Sequence, residues 1–437
     1  MPYDIIVGRG EGDKKKFGKK GLIKIGRSYV KMGQYTSLSN PIYLDVARSH
    51  VILVGGKRGS GKSYSLGVIA EEISNLPLEE KKNIAPLIFD TMGIFWTMKY
   101  SNEKEKELLK SWDLEPKKLG VRVFVPKGKF EEYSKKGVPV DFAFALSVKD
   151  MKAEDWVMMF NLNIIDPVAV LIERVLYYLS NKNEDYDIEE IIEVIGKAEG
   201  VSEDNKNAAI GLFEATQTWG VFASKNEKAT QINDLIFPGE TSVIDLSAYS
   251  SVGVFNVRAM VIGLLSKKLF NQRMSARKTE EIDAVQHGAD YLSYSRKKET
   301  PLIWVFIDEA HEFLPLKGKT LATDALVQVL REGRQPGLSL VLATQQPGQI
   351  HKDVMTQSDI VISHRLTAEP DIKALNSIMQ SYLLEGIKKS IDDLPNLKGS
   401  AIILDDNSER LYPMRVRPRF TWHGGEAPTA VKIEKKF

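Results

Sequence analysis

The sequence predicts an α/β protein whose core is a parallel β-sheet with helices on its faces. Residues 51–54 form an apolar strand that leads into a glycine-rich turn and then a helix. Two further apolar runs, at 303–307 and 338–343, have the length of buried strands, and a helical pattern separates them. Buried strands that alternate with helices are typical of a parallel sheet covered on both sides.

Length and composition place the chain among ordinary folded proteins. Its 437 residues are enough for two or three domains, or for one large core with insertions. Hydrophobic residues make up 43% and charged residues 27%, which excludes wholesale disorder. No apolar run approaches the roughly 18–20 residues of a membrane-spanning helix, and the N-terminus lacks the order of a signal peptide. We therefore expect a cytoplasmic protein with no membrane segment.

The absence of cysteine removes several kinds of chemistry. With 0 cysteines there are no disulfides, thiolate zinc sites, iron–sulfur clusters or cysteine nucleophiles. The 6 histidines are too few and too scattered to suggest a histidine metal cluster. The net charge of +2 neither requires nor excludes nucleic acid, because a ring can hide a basic surface in its channel.

Sequence patterns divide the chain into four parts. They are a reduced N-terminal β region (1–46), the core (47–100 and 231–400), a mainly helical insertion (101–230) and a strand-like C-terminal segment (401–437). In the insertion, Asp166 and Asp187 are predicted to begin two amphipathic helices. The lysine-rich run at 14–20 indicates either a solvated hairpin tip or arm, or a contact to a phosphate backbone.

Residues 56–63, GKRGSGKS, match the P-loop pattern G-x-x-x-x-G-K-[ST] at every fixed position. The glycines let backbone N–H groups surround a phosphate chain, and the N-terminus of the following helix adds partial positive charge. Lys62 is expected to reach the β- and γ-phosphates, and the Ser63 hydroxyl to bind Mg²⁺. The sequence thus predicts a site for ATP and Mg²⁺ formed by Gly56, Arg58, Gly59, Ser60, Gly61, Lys62, Ser63 and Tyr64.

Polar residues at the ends of two other strands complete this site. Asp308 and Glu309 follow strand 303–307, so Asp308 is expected to hold the Mg²⁺ shell and Glu309 to polarise the attacking water. Gln345, after strand 338–343, would contact the γ-phosphate or its water, or else cap the next loop. Arg331 and Arg334 either complement the end of a helix or act as arginine fingers in a neighbouring subunit.

Several blocks in order resemble the HerA–FtsK superfamily, and its HerA branch in particular. They are VARSHVILVGGKRGSGKS (46–63), WVFIDEAHEFLP (304–315), REGRQPGLSLVLATQQP (331–347), SDIVISHRL (358–366) and MRVRPRFTWHGG (414–425). The resemblance implies a RecA-like P-loop core in a homohexameric ring that binds ATP between subunits and pumps double-stranded DNA. It also implies a possible NurA-like nuclease partner.

The resemblance extends to single residues. Lys62 and Ser63 match the P-loop pair of the family. Asp308 and Glu309 match its metal-shell acid and its catalytic acid. Gln345 matches a sensor glutamine, and Arg334 looks like the arginine finger that acts in the adjacent subunit. Arg48 matches an arginine that touches nucleotide, while His423 and Gly424 look like a C-terminal brace that reaches over an adjacent nucleotide.

The sequence departs from the family pattern in two places. The region before Val51 is long enough for a reduced N-terminal barrel only, and that barrel is where a nuclease would dock. After Asp90 the sequence TMGIFW lacks the usual acidic residue, so Phe95 and Trp96 are predicted to be packing or interface residues.

The leading functional expectation is an ATP-driven hexameric DNA translocase or helicase in DNA end processing or repair. A motor for protein or conjugative substrates and an ATP-gated regulatory ring of a defence complex are the alternatives. A helix is predicted at about 256–272, followed by a mobile surface or channel loop at 273–300. The nominated DNA contacts, in a segment that could equally be a solvated loop, are Arg273, Arg277, Lys278, Arg296, Lys297 and Lys298.

Overall fold

The computed structural model of the chain describes residues 3–32, 35–182, 184–250, 255–286, 300–378 and 394–425. The strands are β1 (Ile5–Val7), β2 (Leu22–Met32), β3 (Tyr35–Asp45), β4 (Val51–Gly55), β5 (Ile84–Asp90), β6 (Val121–Pro126), β7 (Phe142–Phe144), β8 (Thr241–Asp245), β9 (Leu302–Ile307), β10 (Leu338–Thr344), β11 (Ile360–His364), β12 (Ser400–Asp405) and β13 (Arg410–Val416). The helices are α1 (Glu11–Phe17), α2 (Lys62–Asn75), α3 (Leu78–Lys81), α4 (Lys106–Lys110), α5 (Lys127–Lys135), α6 (Ala153–Met159), α7 (Pro167–Asn181), α8 (Ile188–Gly196), α9 (Glu203–Gln217), α10 (Ile232–Leu235), α11 (Val257–Gln286), α12 (Thr323–Glu332), α13 (Lys352–Gln357) and α14 (Glu369–Ile378). Short 3₁₀ turns lie at Phe95–Lys99, Glu103–Glu105, Val148–Asp150, Ala310–Glu312 and Pro347–Gln349.

The strands of the described residues form one sheet in the order β1-β3-β2-β13-β12-β11-β4-β10-β9-β5-β8-β6-β7. From β11 to β7 every neighbouring pair is parallel, which confirms the predicted α/β core. β4 lies between β10 and β11, and β9 lies beside β10. The carboxyl ends of these strands therefore bring the loop after β4 and the acids after β9 to the same edge.

Apolar cores cover both faces of the sheet. Ile52 and Val54 of β4 pack on the side of α2, whereas Leu53 between them packs on the side of α11. This alternation follows from the two-residue period of a strand and fixes which face of β4 carries α2. Phe95 is fully buried on the α2 side and Trp96 packs there too, so both have the predicted packing role.

The N-terminal region extends this sheet. β2 and β3 form a hairpin whose strand β2 pairs antiparallel with β13. The lysine-rich run expected at a hairpin tip falls in α1 and the turn after it. Glu11 and Asp13 in the first turn and lysines in the last turn complement the helix dipole, and Gly18, at φ 57°, ends the helix.

The insertion is mainly helical, yet it also contributes strands β6 and β7 to the sheet. The predicted amphipathic helices are present: Pro167 opens α7, and the Asp187 side chain accepts a hydrogen bond from Glu190 N at the start of α8. In the part of the chain that the structure describes, no helix combines the length and the apolar character needed to cross a bilayer.

Candidate functional site

The loop 56–63 wraps the carboxyl end of β4 and leads into α2 in a conformation that depends on glycine. Gly59 and Gly61 have φ values of 74° and 114°, which side chains rarely adopt. A Cβ atom at Gly56 would collide with the Ser60 hydroxyl. Lys62 is only 5% exposed, and its Nζ donates to the Lys57 carbonyl oxygen at 3.2 Å. The loop thus has the shape of a phosphate cradle with its lysine on the inside.

Asp308 and Ser63 meet at the carboxyl end of β9, as the sequence suggests. The Ser63 hydroxyl donates to one carboxylate oxygen of Asp308, and Glu309 N donates to the other at 2.9 Å. Burial raises the pKa of Asp308, and the Ser63 hydrogen bond opposes this rise. Burial also lowers the pKa of Lys62, against the attraction of the two acids. A hydroxyl and a carboxylate in contact are oxygen donors that suit Mg²⁺ beside nucleotide phosphates.

Glu309 lies next to this pair in a left-handed backbone conformation, with φ of 52°. Its Oε1 accepts a hydrogen bond from the Gln345 side-chain amide. Its Oε2 is buried and accepts no hydrogen bond from any described residue, although His311 Nδ1 lies 3.6 Å away. A buried carboxylate oxygen with free lone pairs can accept a proton from a water molecule.

His311 was not foreseen from the sequence. Its Nδ1 is 3.1 Å from the Thr344 hydroxyl at the end of β10, and burial lowers its pKa. His311 thus lies between the end of β10 and the Glu309 carboxylate. Its place in the block DEAHEF, directly after the acids, is the signal that sequence reasoning passed over.

His364 is a second residue that the sequence analysis missed. It is fully buried at the end of β11, beneath the loop 56–63. Its Nε2 lies 2.8 Å from the Ser65 hydroxyl and its Nδ1 lies 3.1 Å from the Ser400 carbonyl oxygen. Burial lowers the pKa of His364 to about 4, so the ring is neutral.

The C-terminal segment folds onto helix α2 of its own chain. The buried carboxylate of Glu71 pairs with Arg419 at 2.9 Å and with Arg417 at 3.0 Å. Arg419 N donates to the Tyr64 hydroxyl at 2.6 Å, and the His423 ring lies edge-on to Tyr64 at 5.2 Å. These contacts bring His423 beside the first turn of α2. Glu71, Arg417 and Arg419 were not predicted, because their partners are more than 300 residues apart.

Gly424 lies against Thr97 and Ile94 rather than on α2. A Cβ atom at Gly424 would be 2.9 Å from Thr97 Cγ2. The described part of the C-terminal segment thus covers the start of α2 and the turn after β5 in the same chain. A role over an adjacent nucleotide stays a prediction.

The candidate arginines lie in different settings. Arg48 is exposed and pairs with Asp13 at 2.9 Å, and Arg331 Nε pairs with Asp353 at 2.6 Å. Arg58 is exposed on the P-loop itself, and Arg334 is exposed in the turn after α12. Among the described residues, neither Arg331 nor Arg334 bonds to the loop 56–63 of its own chain. A finger role for either would therefore act in another subunit.

Of the nominated DNA contacts, Arg273 is corrected by the structure. Its side chain is 1% exposed and donates to the carbonyl oxygens of Pro336 and Thr300 at 2.7 and 2.8 Å, so it holds the fold together. The predicted loop begins as helix instead, because α11 runs on to Gln286 with Arg277 paired to Glu281 at 2.5 Å. Lys278 is exposed, and Arg296, Lys297 and Lys298 lie outside the described residues.

The sequence is similar to known families and proteins. Residues 23–268 match the family "Helicase HerA, central domain", and residues 252–379 match "Zonular occludens toxin (Zot)". The probable DNA double-strand break repair helicase HerA of Methanocaldococcus jannaschii is 27% identical over 183 residues, 38% of this chain and 36% of that protein. The DNA double-strand break repair helicase HerA of Pyrococcus furiosus is 27% identical over 184 residues, 39% of this chain and 31% of that protein. This chain therefore spans about a third of the length of these relatives.

Solved structures share the fold. VirB4 of Thermoanaerobacter pseudethanolicus superposes with a TM-score of 0.54 at 11% identity, over 92% of this chain and 97% of that chain. The bacterial conjugative coupling protein TrwBdeltaN70 gives 0.50 at 13% identity, over 94% and 99%. These likenesses confirm the predicted RecA-like P-loop fold. Because the HerA central-domain match covers more than half of the sequence and its P-loop, acids and glutamine meet at one edge of the sheet, the chain belongs to that family and is a HerA-like ATPase of the HerA–FtsK superfamily.

Proposed function

We propose that this chain hydrolyses ATP to drive movement along double-stranded DNA, as a homohexameric ring of HerA type that acts in DNA end processing or repair. The observation that carries the ATP part is the meeting of Ser63, Asp308, Glu309 and Gln345 at the edge that holds the P-loop. The DNA part is supported by the family match and by relatives whose names describe DNA double-strand break repair helicases.

In the proposed reaction, water attacks the γ-phosphorus of ATP and the bond to the β,γ-bridging oxygen breaks, giving ADP and phosphate. The backbone N–H groups of 56–63 and the start of α2 hold the phosphates, and Lys62 offsets charge on the γ-phosphoryl group. Bound Mg²⁺ would neutralise phosphate charge, held by Ser63 and Asp308. Glu309 Oε2 accepts the proton of the attacking water, and Gln345 fixes the other oxygen of that carboxylate.

A ring is proposed because an arginine finger would have to come from a neighbouring subunit. Among the described residues, Arg58 is the only arginine on the P-loop itself. Arg334 is exposed and forms no ion pair with the described residues, and it is the finger that would enter the neighbouring site. Arg331 is second, since it would first have to leave Asp353. Arg48, Arg58, Tyr64, His423 and Gly424 remain proposed nucleotide contacts on the same or the adjacent subunit.

DNA would be held by its phosphates, so binding should be independent of sequence and weakened by salt. Arg277, Lys278 and the undescribed Arg296, Lys297 and Lys298 stay the proposed contacts. A NurA-like nuclease is the proposed partner, at the N-terminal strands β1 to β3. A conjugation-type motor is the second candidate, because VirB4 and TrwBdeltaN70 share the fold.

The test is ATP hydrolysis by the purified protein with and without linear duplex DNA at several salt concentrations. Glu309→Gln serves as the blank, because it keeps the shape of the site and removes the proton acceptor. Stimulation by DNA that weakens with salt supports the translocase. Hydrolysis that no form of DNA changes would leave the ATPase standing, contradict the DNA part and favour a protein motor or a partner-gated ring.

A further inference from the structure

The imidazole of His364 fills the space beneath the P-loop. Strand β11 runs beside β4, and its residue Ser363 pairs with Gly55, which puts the next residue, His364, beside Gly56. A Cβ atom at Gly56 would lie 2.8 Å from His364 Cβ, and one at Gly61 would lie 3.5 Å from His364 Cε1. The His364 side chain therefore lies close to both ends of the loop.

The hydrogen bonds of His364 fix its tautomer. The Ser400 carbonyl oxygen, 3.1 Å from Nδ1, can only accept, so Nδ1 carries the proton. Nε2 is then an acceptor. The Ser65 hydroxyl has a second acceptor in reach, the Gly61 carbonyl oxygen at 3.1 Å, and it donates its one proton to the nearer Nε2 at 2.8 Å. The lowered pKa agrees with this, because burial and the nearby Lys62 ammonium both disfavour a protonated ring.

These contacts form a short path from the sheet to the reacting groups. Ser65 is buried in the first turn of α2, two residues after Ser63 and three after Lys62. Ser400 begins β12, the strand next to β11. A second hydrogen bond also joins the loop to the residue after β11, since Lys57 N donates to the Arg365 carbonyl oxygen at 3.1 Å. The position of the helix turn that carries Lys62 and Ser63 is thus set by β11 and β12.

We propose that His364 is a positioning residue for ATP hydrolysis, which holds the first turn of α2 in register with the acids through the Ser65 hydroxyl. The proposal rests on the proposed hydrolysis of ATP at this site. His364 itself touches no phosphate in this arrangement; its effect passes through Ser65 to Lys62 and Ser63. Misplacement of reacting groups by about 1 Å can cost on the order of 10²-fold in rate, so a loose helix turn would be costly.

Two substitutions separate the two bonds of the ring. His364→Asn places an amide near the position of Nδ1, so this variant keeps the hydrogen bond to Ser400 and loses the one to Ser65. His364→Gln places its amide near the position of Nε2, so this variant keeps an acceptor for the Ser65 hydroxyl and loses the hydrogen bond to Ser400. We expect H364N to lower kcat by roughly 10- to 100-fold with a smaller loss of ATP affinity, and H364Q to recover most of the rate.

A mutant cycle with Ser65 tests the path. Ser65→Ala should reproduce the H364N loss, and the H364N/S65A double variant should lose little more, because both substitutions break the same bond. Ser74→Ala is the matched control: its hydroxyl is buried on the same helix as Ser65 but at the far end, where it bonds Thr241 at 2.8 Å, and its kcat should stay at the wild-type value. Rates are measured without DNA and corrected for the folded fraction from thermal unfolding.

The proposal is overturned if H364N and H364Q lose equal activity, or if the losses in kcat of H364N and S65A are additive in the double variant. It is also overturned if each loss in kcat equals the loss of folded protein. Affinity for a fluorescent ATP analogue gives a readout that needs no turnover. If the wild type bound the analogue without hydrolysing ATP, the proposed function would fail. The His364 proposal would still be decided by analogue binding. It requires that H364N and S65A weaken the affinity equally and that the double variant weakens it no further.

Discussion

The Gln345 side-chain amide donates a hydrogen bond to the Glu309 carboxylate across the ends of β10 and β9. The two residues are 36 positions apart, and the parallel pairing of their strands brings them together. Glu309 has a left-handed backbone, which turns its side chain out of the strand direction toward this partner. One carboxylate oxygen is thereby fixed, and the other, Oε2, is buried and accepts no hydrogen bond from the described residues.

Replacement of Gln345 by alanine should therefore slow hydrolysis while ATP still binds. Glu309 would keep its charge and lose the donor that orients it. The rate constant kcat should therefore fall by roughly 10- to 100-fold, which is less than the roughly 10²–10⁴-fold that a general base contributes as a whole. Steady-state hydrolysis and analogue binding measure the two effects. Gln346→Ala is the matched control, since Gln346 is the exposed neighbour. Equal rates for Q345A and Q346A would contradict the role of this bond.

The parts of the site that the sequence predicts are those set by local pattern. The P-loop and the acids stand directly after apolar strands, and a parallel sheet must bring such strand ends together, so the Ser63–Asp308 contact follows. Residues that depend on distant contacts were missed: His364 reaches Ser65 over 299 positions, and Glu71 reaches Arg417 over 346. Arg273 was misjudged because a basic residue in a charged stretch looks exposed until its backbone partners are known.

The ring arrangement predicts that two inactive variants restore activity when mixed. Arg334→Ala should bind ATP and hydrolyse it roughly 10³–10⁵-fold more slowly, as loss of an arginine finger does. Lys62→Ala should lose phosphate binding. If Arg334 acts in the neighbouring subunit, mixed rings contain some sites with both Lys62 and Arg334 intact, so the mixture should regain part of the rate.

Arg331→Ala is the control for this experiment, because Arg331 is held by Asp353 in its own chain. It should cost little activity if Arg334 is the finger. Normal hydrolysis by R334A would contradict the assignment and turn attention to Arg331 and then Arg365. Absence of recovery in rings shown to be mixed would contradict action of Arg334 in the site of the neighbouring subunit.

Folding stability should fall as the pH rises above neutrality, because of His50. Burial alone would lower the pKa of His50, but the carboxylates of Asp359 and Asp45 outweigh it and raise the pKa to about 9. His50 Nδ1 lies 2.7 Å from Asp359, which also accepts from Val51 N at the start of β4. A pKa raised on folding adds stability that is full below the unfolded value of 6.5 and lost as the pH rises through 9.

Chemical unfolding between pH 6 and 10 measures this effect. The free energy of unfolding of the wild type should decline by up to about 3 kcal/mol across the window, from about 1.4 kcal/mol per pKa unit. His50→Asn should be less stable at pH 6 and show a flatter decline. His351→Asn, at the start of α13, is the control and should keep the wild-type slope. A wild-type slope in H50N would show that another group carries the pH dependence.

The packing of the C-terminal segment against α2 can be tested by a substitution at Gly67. A Cβ atom at Gly67 would collide with the Arg419 guanidinium, which is fully buried and paired with Glu71. Gly67→Ala must therefore displace Arg419 or shift α2, and we expect a loss of about 1–3 kcal/mol in the free energy of unfolding. A helical glycine in open space should behave in the opposite way. Apart from the backbone of its own helix, Gly211 of α9 has no atom of the described residues within 4 Å of its Cβ position, so Gly211→Ala should gain roughly 0.5–1 kcal/mol. If G67A were as stable as G211A, the Arg419–Glu71 pair would not hold the segment against the helix.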